Sequence, residues 1–350
     1  VHKSKILYEN PSIRVEYFHQ KENKKIVFIF SNSAIYSLAG NSTGGDFFFS
    51  KGFNVLNFKN ISLDWYQNLP DQLFEKIGRL LSKNHYVLRV AMGHSMGAYA
   101  ALCFSSRFNF DVCLAYSPQS HINNNYDFRF SDEAQKIDTW RHVISSKTIS
   151  QKSKFFLIYD NKDPDVNHIR RLKEVIPAQN ITEIILPYAS HEVTGYLHEI
   201  GALKDLSLKI LDQKPITQRF LRKNRIKSQR YLEAISLTML RQRDREKLVK
   251  IKRIITKLMT QNKTASHFNP ADHLQISVKD AYNYFENQLE KISHKILLCD
   301  QMTELERQGF DKDFYLHQYP DVAHSSMSAL YHYVCFGQYE GRALRLSRKI

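Results

Sequence analysis

Along the first two-thirds of the chain, short apolar runs alternate with stretches whose apolar residues recur every three or four positions. Residues 13–18, IRVEYF, alternate as a half-buried strand does, and KKIVFIFSNSA at 24–34 reads as a buried strand entering a polar loop. FNVLNFK at 53–59 predicts another strand, and Leu69, Leu73, Ile77 and Leu80/Leu81 share one face of a helix over 69–84. A strand over 86–92 follows, then a Gly/Ser turn, a helix over 96–106, and a strand over 111–118 ended by Pro118. After a polar excursion containing NNNYDFRF, the pattern predicts a helix over 132–145. Strands over 153–160 and 181–188 then flank a helix over 166–176, and a last helix covers 193–211. Such alternation predicts the α/β class: a mostly parallel sheet with helices on both faces.

Past DQKPITQ at 212–218 the rhythm changes and no strand is predicted. Residues 219–259 form one long amphipathic helix or two, NKTASHFNPADH at 262–273 is a turn-rich break, and 278–307 is helical again. The aromatic tail predicts a small helical core of Tyr315, Leu316, Tyr319, Leu330, Tyr333, Val334 and Phe336, with Gly337 and Gly341 ending helices. Three parts are expected: a sheet domain at 1–211, a basic helical segment at 212–262 and an all-helical module at 263–350.

Composition adds one thing that the pattern does not. Of a formal charge of +15, a net of +12 lies between Lys214 and Met259, where 15 Lys/Arg face three Asp/Glu. The excess therefore belongs to the helical region and concerns a partner rather than the sheet. Arg219, Arg222, Lys223, Arg225, Arg230, Lys252 and Arg253 are the candidates for holding an anionic polymer or an anionic membrane surface. The competing reading is a solvated basic face. No DNA- or RNA-reading motif accompanies the charge, so nucleic acid is not the expected partner. The four cysteines are scattered without metal-ligand spacing and read as buried thiols. The opening VHKSKILYENPS has no apolar core of a signal peptide, and no apolar run approaches a membrane span. A cytoplasmic location is expected, with peripheral attachment at an inner membrane allowed by the basic helices.

The chemistry concentrates at Gly93-His94-Ser95-Met96-Gly97, between an apolar strand and the alanine-rich start of a helix. A serine on so sharp a strand-to-helix turn stands exposed to a substrate, and the Met96 N–H faces the oxygen of an attacked carbonyl. Such a serine needs a base that titrates near neutrality. His191, in LPYASHEVTGYL after the last strand, is the candidate. His94 is expected to point away, His121 comes early in the chain and His198 is a spare. FLIYDNKDPDV supplies the acid: Asp163 lies where an orienting carboxylate belongs, with Asp165 its rival and Asp160 shaping the turn. A second oxyanion donor is expected from the backbone of Asn32 or Ser33 in FSNSA. No GxGxxG, no phosphate loop and no HExxH is present, so neither a metal nor a bound cofactor is expected.

The order Ser95, Asp163, His191 resembles the α/β-hydrolase family over residues 13–211. The turn after Phe30, the SPQ at 117–119 and the His191 loop resemble its members encoded with bacterial capsule and surface polysaccharides, capsule O-acetyltransferases included. FSNSA departs from the HG-type loop of many lipases. The tail words FDKDFYLHQYPDV and HYVCFGQYEGR are similar to a module of bacterial polysaccharide-biosynthesis proteins, which implies docking to such a protein. The resemblance implies a serine esterase acting through an acyl-enzyme on an acylated glycan. Its first alternative is an O-acetyltransferase with acetyl-CoA as donor, and its second is a non-catalytic scaffold.

Overall fold

The computed structural model describes residues 4–35, 37–39, 44–123, 127–262, 278–325 and 327–346. Contacts divide the chain into two compact units, Val1–Lys223 and Asn224–Ile350. The expected boundaries at 211 and 262 fall elsewhere. Residues 212–223 join the first unit, where helix α8 (Gln218–Arg222) is tied down by Tyr196 Oη donating to the Leu221 carbonyl at 3.1 Å. The basic helices share the second unit with the tail.

The first unit is built on one eight-stranded sheet. Its strands are β1 (Ser4–Glu9), β2 (Ile13–Phe18), β3 (Lys25–Phe30), β4 (Asn54–Asn60), β5 (Leu88–His94), β6 (Val112–Tyr116), β7 (Lys154–Tyr159) and β8 (Ile181–Ile185). Their order across the sheet is β1-β2-β4-β3-β5-β6-β7-β8. The pairs β1/β2 and β2/β4 are antiparallel, and every pair from β4 to β8 is parallel. Near-continuous apolar runs such as Ile26–Phe30 arise because central strands are buried on both faces. β1 escapes the sequence pattern because it is an edge strand with mostly exposed residues.

Helices α1 (Gly45–Ser50), α2 (Asp71–Asn84), α3 (Met96–Cys103), α4 (Ser131–Gln135), α5 (Val166–Val175), α6 (Val193–Glu199) and α7 (Leu203–Leu211) complete the unit. α2 buries Leu73, Phe74, Ile77 and Leu81, the face that periodicity predicted. Two expectations are corrected. The helix over 193–211 is two helices, broken where Gly201 takes φ +74°. The helix over 132–145 stops at Gln135. Beyond it, long-range side chains take the backbone: the Gln67 carboxamide accepts from the His142 N–H at 2.8 Å and donates to the His142 carbonyl at 3.1 Å.

In the second unit α9 (Gln229–Arg241), α10 (Arg245–Asn262) and α11 (Val278–Arg307) pack through Leu232, Leu240, Leu248, Ile255, Phe285 and Met302. The break predicted at 262–273 lies, but for Asn262, outside the described residues. The tail holds α12 (Lys312–Gln318), α13 (Pro320–Ala323) and α14 (Ala329–His332) around Tyr315, Val322 and Ala329, with Phe310, Leu316, Tyr319 and Tyr333 packed against them. Phe336, expected in this core, is exposed. Gly337 is needed for room: a Cβ there would sit 2.2 Å from Tyr315 Oη.

Candidate active site

The site forms at the carboxyl ends of the parallel strands, where loops can bring distant side chains together. Ser95 sits between β5 and α3 at φ 54°, ψ −116°, a left-handed conformation that a serine adopts only when its surroundings enforce it. The two flanking glycines provide that enforcement. A Cβ on Gly93 would lie 2.1 Å from the Gly97 carbonyl carbon, and one on Gly97 would lie 2.2 Å from the Phe30 carbonyl oxygen. Strand β3, strand β5 and helix α3 therefore touch backbone to backbone, and the Ser95 N–H is held by the Tyr116 carbonyl at 2.9 Å.

His191 is 2.9 Å from Ser95 Oγ through Nε2. Its loop is shaped by left-handed residues Tyr188 and Ser190, and the Asp160 carboxylate accepts from the Ser190 N–H at 2.9 Å, the turn-shaping role expected of it. The His191 carbonyl accepts from Ser117 Oγ at 2.6 Å and from His94 Nε2 at 2.9 Å. His94 is thus corrected. It turns toward the site, 5.3 Å from the His191 ring, with Asn32 Nδ2 donating to its Nδ1 at 3.2 Å. Burial, then the neighbouring His191, pushes the His94 pKa down and keeps it neutral.

The acid on His191 is Asp165 rather than Asp163. Asp165 places both carboxylate oxygens against His191 Nδ1, at 2.8 and 3.0 Å, from a fully buried position immediately before α5. Asp163 stays in the turn, where Oδ1 accepts from the Asp165 N–H at 3.1 Å and from Arg129 Nη1 at 2.9 Å. The helix begins at Val166, so the residue just before it is the one turned inward.

Arg129 was not anticipated. It lies in the excursion between β6 and β7, and its Nη2 donates to Asp165 Oδ1 at 2.7 Å. The same guanidinium grips Asp127, whose Oδ2 also accepts from His168 Nε2 at 2.9 Å. Burial raises the Asp165 pKa, but His191 and Arg129 together outweigh it and hold the carboxylate below its usual range. For His191, burial lowers the pKa and the hydrogen bond and charge of Asp165 overcome that, leaving it raised above 6.5. Burial and the nearby Asp165 charge raise the Asp163 value. Among the described residues, Asp163, Asp165 and His191 also form a set of possible metal ligands within 4.8 Å, but the Arg129 cation already reaches both carboxylates.

Gln119, the last residue of SPQ, is also brought here. Its Oε1 accepts from Trp65 Nε1 at 2.9 Å and lies 3.4 Å from Ser95 Oγ. Met96 opens α3, where the first N–H groups have no intrahelical acceptor. Ser31 fixes the root of the opposite loop, with Oγ accepting from the Asn60 N–H at 3.0 Å. Asn32 lies beside His94, and Ser33 starts the turn that follows. His121 packs against Trp140 with the rings tilted by 35°, and His198 is exposed on α6. Of the basic candidates, Arg219, Arg222 and Lys223 end the first unit, whereas Arg225, Arg230, Lys252 and Arg253 belong to the second.

No protein-family model matches the sequence, and no curated protein matches it. Among solved structures the chain is similar to esterase Pf2001 of Pyrococcus furiosus, at 16% identity over 61% of this chain and 93% of that one, TM-score 0.40. It is similar to MGS-MChE2, an alpha/beta hydrolase enzyme from a lagoon-sediment metagenome, at 16% identity over 59% and 99%, TM-score 0.40. It is also similar to the capsule O-acetyltransferase of Neisseria meningitidis serogroup A, at 14% identity over 59% and 93%, TM-score 0.44.

Proposed function

We propose that the first unit is a serine-nucleophile enzyme that cleaves an acyl ester of a bacterial surface or capsular polysaccharide. The observation that carries this reading is the hydrogen-bonded line from Asp165 through both ring nitrogens of His191 to Ser95 Oγ. An ionised carboxylate only accepts, so His191 bears its proton on Nδ1 and turns the Nε2 lone pair to the serine. The Ser95 proton passes to Nε2 as Oγ bonds to the ester carbonyl carbon. The N–H of Met96 and that of Asn32, with Ser33 as alternative, receive the charge that develops on the carbonyl oxygen. Asp165 stabilises the charged ring without taking its proton. The carbon–oxygen bond to the sugar then breaks, His191 returns the proton to the leaving oxygen, and the acyl group remains on Ser95. Water gives a proton to Nε2 as it adds to the acyl carbon; the bond from that carbon to Oγ then breaks, the Nε2 proton returns to Oγ, and the acid is released.

The glycan assignment is supported by the SPQ segment and the tail words, which resemble those of polysaccharide-biosynthesis proteins. Transfer is the second reading, with acetyl-CoA as donor and a sugar hydroxyl in place of water. It is favoured by the burial of Ser95, which is 2% exposed, because excluding water protects an acyl-enzyme. The basic surface of the helical region is proposed to attract an anionic polymer or membrane.

The test offers the enzyme an O-acetylated glycan alone, and acetyl-CoA together with the de-acetylated glycan. Free acetate from the first, absent with Ser95→Ala, is the expected result. Acetylated sugar with stoichiometric free thiol from the second identifies the transferase. Neither product with any acylated glycan contradicts the reading.

A further inference from the structure

A cavity of about 120 Å³ adjoins the site, with Asn32 and His94 in its wall. Most of its lining is apolar, including Ile29, Ile35, Met92, Tyr116 and Leu203. Asn57 on β4 breaks that pattern. It is 1% exposed, lines the cavity, and its Nδ2 has no acceptor among the described residues. A buried amide N–H without a partner is costly and uncommon, and an apolar residue could hold this sheet position without that cost. Lys59, two residues on, also lines the cavity, but its ammonium is paired with Glu16 at 2.7 Å and donates to the Leu38 carbonyl at 3.1 Å. That pair leaves no net charge, and His94 is neutral. The cavity therefore suits a neutral oxygen, not a carboxylate. Its size sets the rest of the ligand: an apolar cavity of roughly 150 Å³ admits benzene, so this one takes a group slightly smaller.

We propose that this cavity is an acyl pocket for a short chain of about four carbons carrying one neutral oxygen, a hydroxyacyl or ketoacyl group, with Asn57 Nδ2 donating to that oxygen. The assignment rests on acyl chemistry at Ser95. A site built around a buried donor discriminates sharply against the analogue that lacks the acceptor, because the donor is then left unpaired.

The experiment compares 4-nitrophenyl 3-hydroxybutyrate with 4-nitrophenyl butyrate on the full chain, reading kcat/KM and the Ser95 adduct by intact mass. Wild type is expected to prefer the hydroxy ester by at least about tenfold, and Asn57→Leu to bring the ratio to about one. A wild-type ratio near one, the result for a cavity that holds only water, overturns the pocket, as does an unchanged ratio in a folded Asn57→Leu. Should Asn57→Leu fail to fold, Leu203→Phe narrows the same cavity from α7. It is expected to depress both four-carbon esters against the acetyl ester by about tenfold, and an unaltered chain-length profile overturns the pocket. Absence of any adduct on wild-type Ser95 with all three esters would instead sink the acyl-enzyme reading itself.

Discussion

Charge is used in opposite ways by the two units. In the first, Arg129, Asp127, Asp163 and Asp165 are withdrawn from water, with side chains between 0% and 23% exposed, and their hydrogen bonds hold His168 on Asp127 and run from Asp165 through His191 to Ser95. In the second, the ion pairs Arg243–Glu306, Arg245–Asp300 and Lys291–Glu233 lie between exposed partners, and Lys252, Arg253 and Lys257 on α10 form no ion pair among the described residues. Exposed pairs add little to stability, whereas opening a buried one leaves a charge stranded. Net charge alone directs attention to the helices. The energetic cost of placing charge directs it to the small cluster beside Ser95.

Substitutions at the buried cluster sharpen this contrast most. Asp165→Asn removes the negative charge and puts an NH2 donor where a carboxylate oxygen accepted from His191, which favours the wrong tautomer, and is expected to lower kcat by about 10⁴-fold, the scale seen when such an acid is amidated in serine proteases. Asp163→Asn, two residues away, is expected to cost less than about tenfold. Steady-state kinetics on both variants check the pair, and equal losses would break the distinction drawn between turn and helix start. Gly97→Ala is next. Its Cβ meets the Phe30 carbonyl, so a loss of about 3 kcal/mol or more is expected in denaturant unfolding.

Arg129 gives a subtler readout. His191 must be neutral to accept the serine proton, and its pKa is raised, so kcat/KM falls as pH drops through a value above 6.5. The Arg129 charge opposes that rise. Arg129→Gln is therefore expected to move the acid limb of the pH–rate profile to higher pH, and a shift to lower pH would contradict the linkage. The same raised value means that the stability drawn from the charged His191–Asp165 pair is present below the unfolded-state pKa. It is lost as pH rises through the folded one.

The smallest effect on chemistry is expected from the second unit. Reversing Lys252 and Arg253 to Glu should weaken binding to anionic vesicles at least about tenfold at low salt, with the difference fading as salt rises. Unchanged, salt-insensitive binding measured by co-sedimentation would leave these residues as a solvated face.

The sequence made some of this architecture legible and not the rest, for physical reasons. The Gly93-Ser95-Gly97 turn could be read because its demand is local: three backbones touch there and only glycine fits. β3, β6 and β7 were legible because burial on both faces imposes near-continuous apolar runs. Asp165 was misranked against Asp163 because the choice depends on where a helix starts, a one-residue matter that spacing does not resolve. His94, Arg129 and Gln119 escaped because their partners lie 97, 36 and 24 residues away in the chain. The helix expected over 132–145 failed likewise, since Gln67 supplies hydrogen bonds from 75 residues away.

The central claim is that Ser95 is an activated nucleophile. Its most direct test is labelling of the full chain with a fluorophosphonate, followed by intact mass and peptide mapping. One adduct, on Ser95, is predicted, formed rapidly by wild type, far more slowly by Asp165→Asn and not at all by Ser95→Ala. Labelling that persists in Ser95→Ala, or a wild type that stays unmodified under conditions that label a serine esterase, would contradict it.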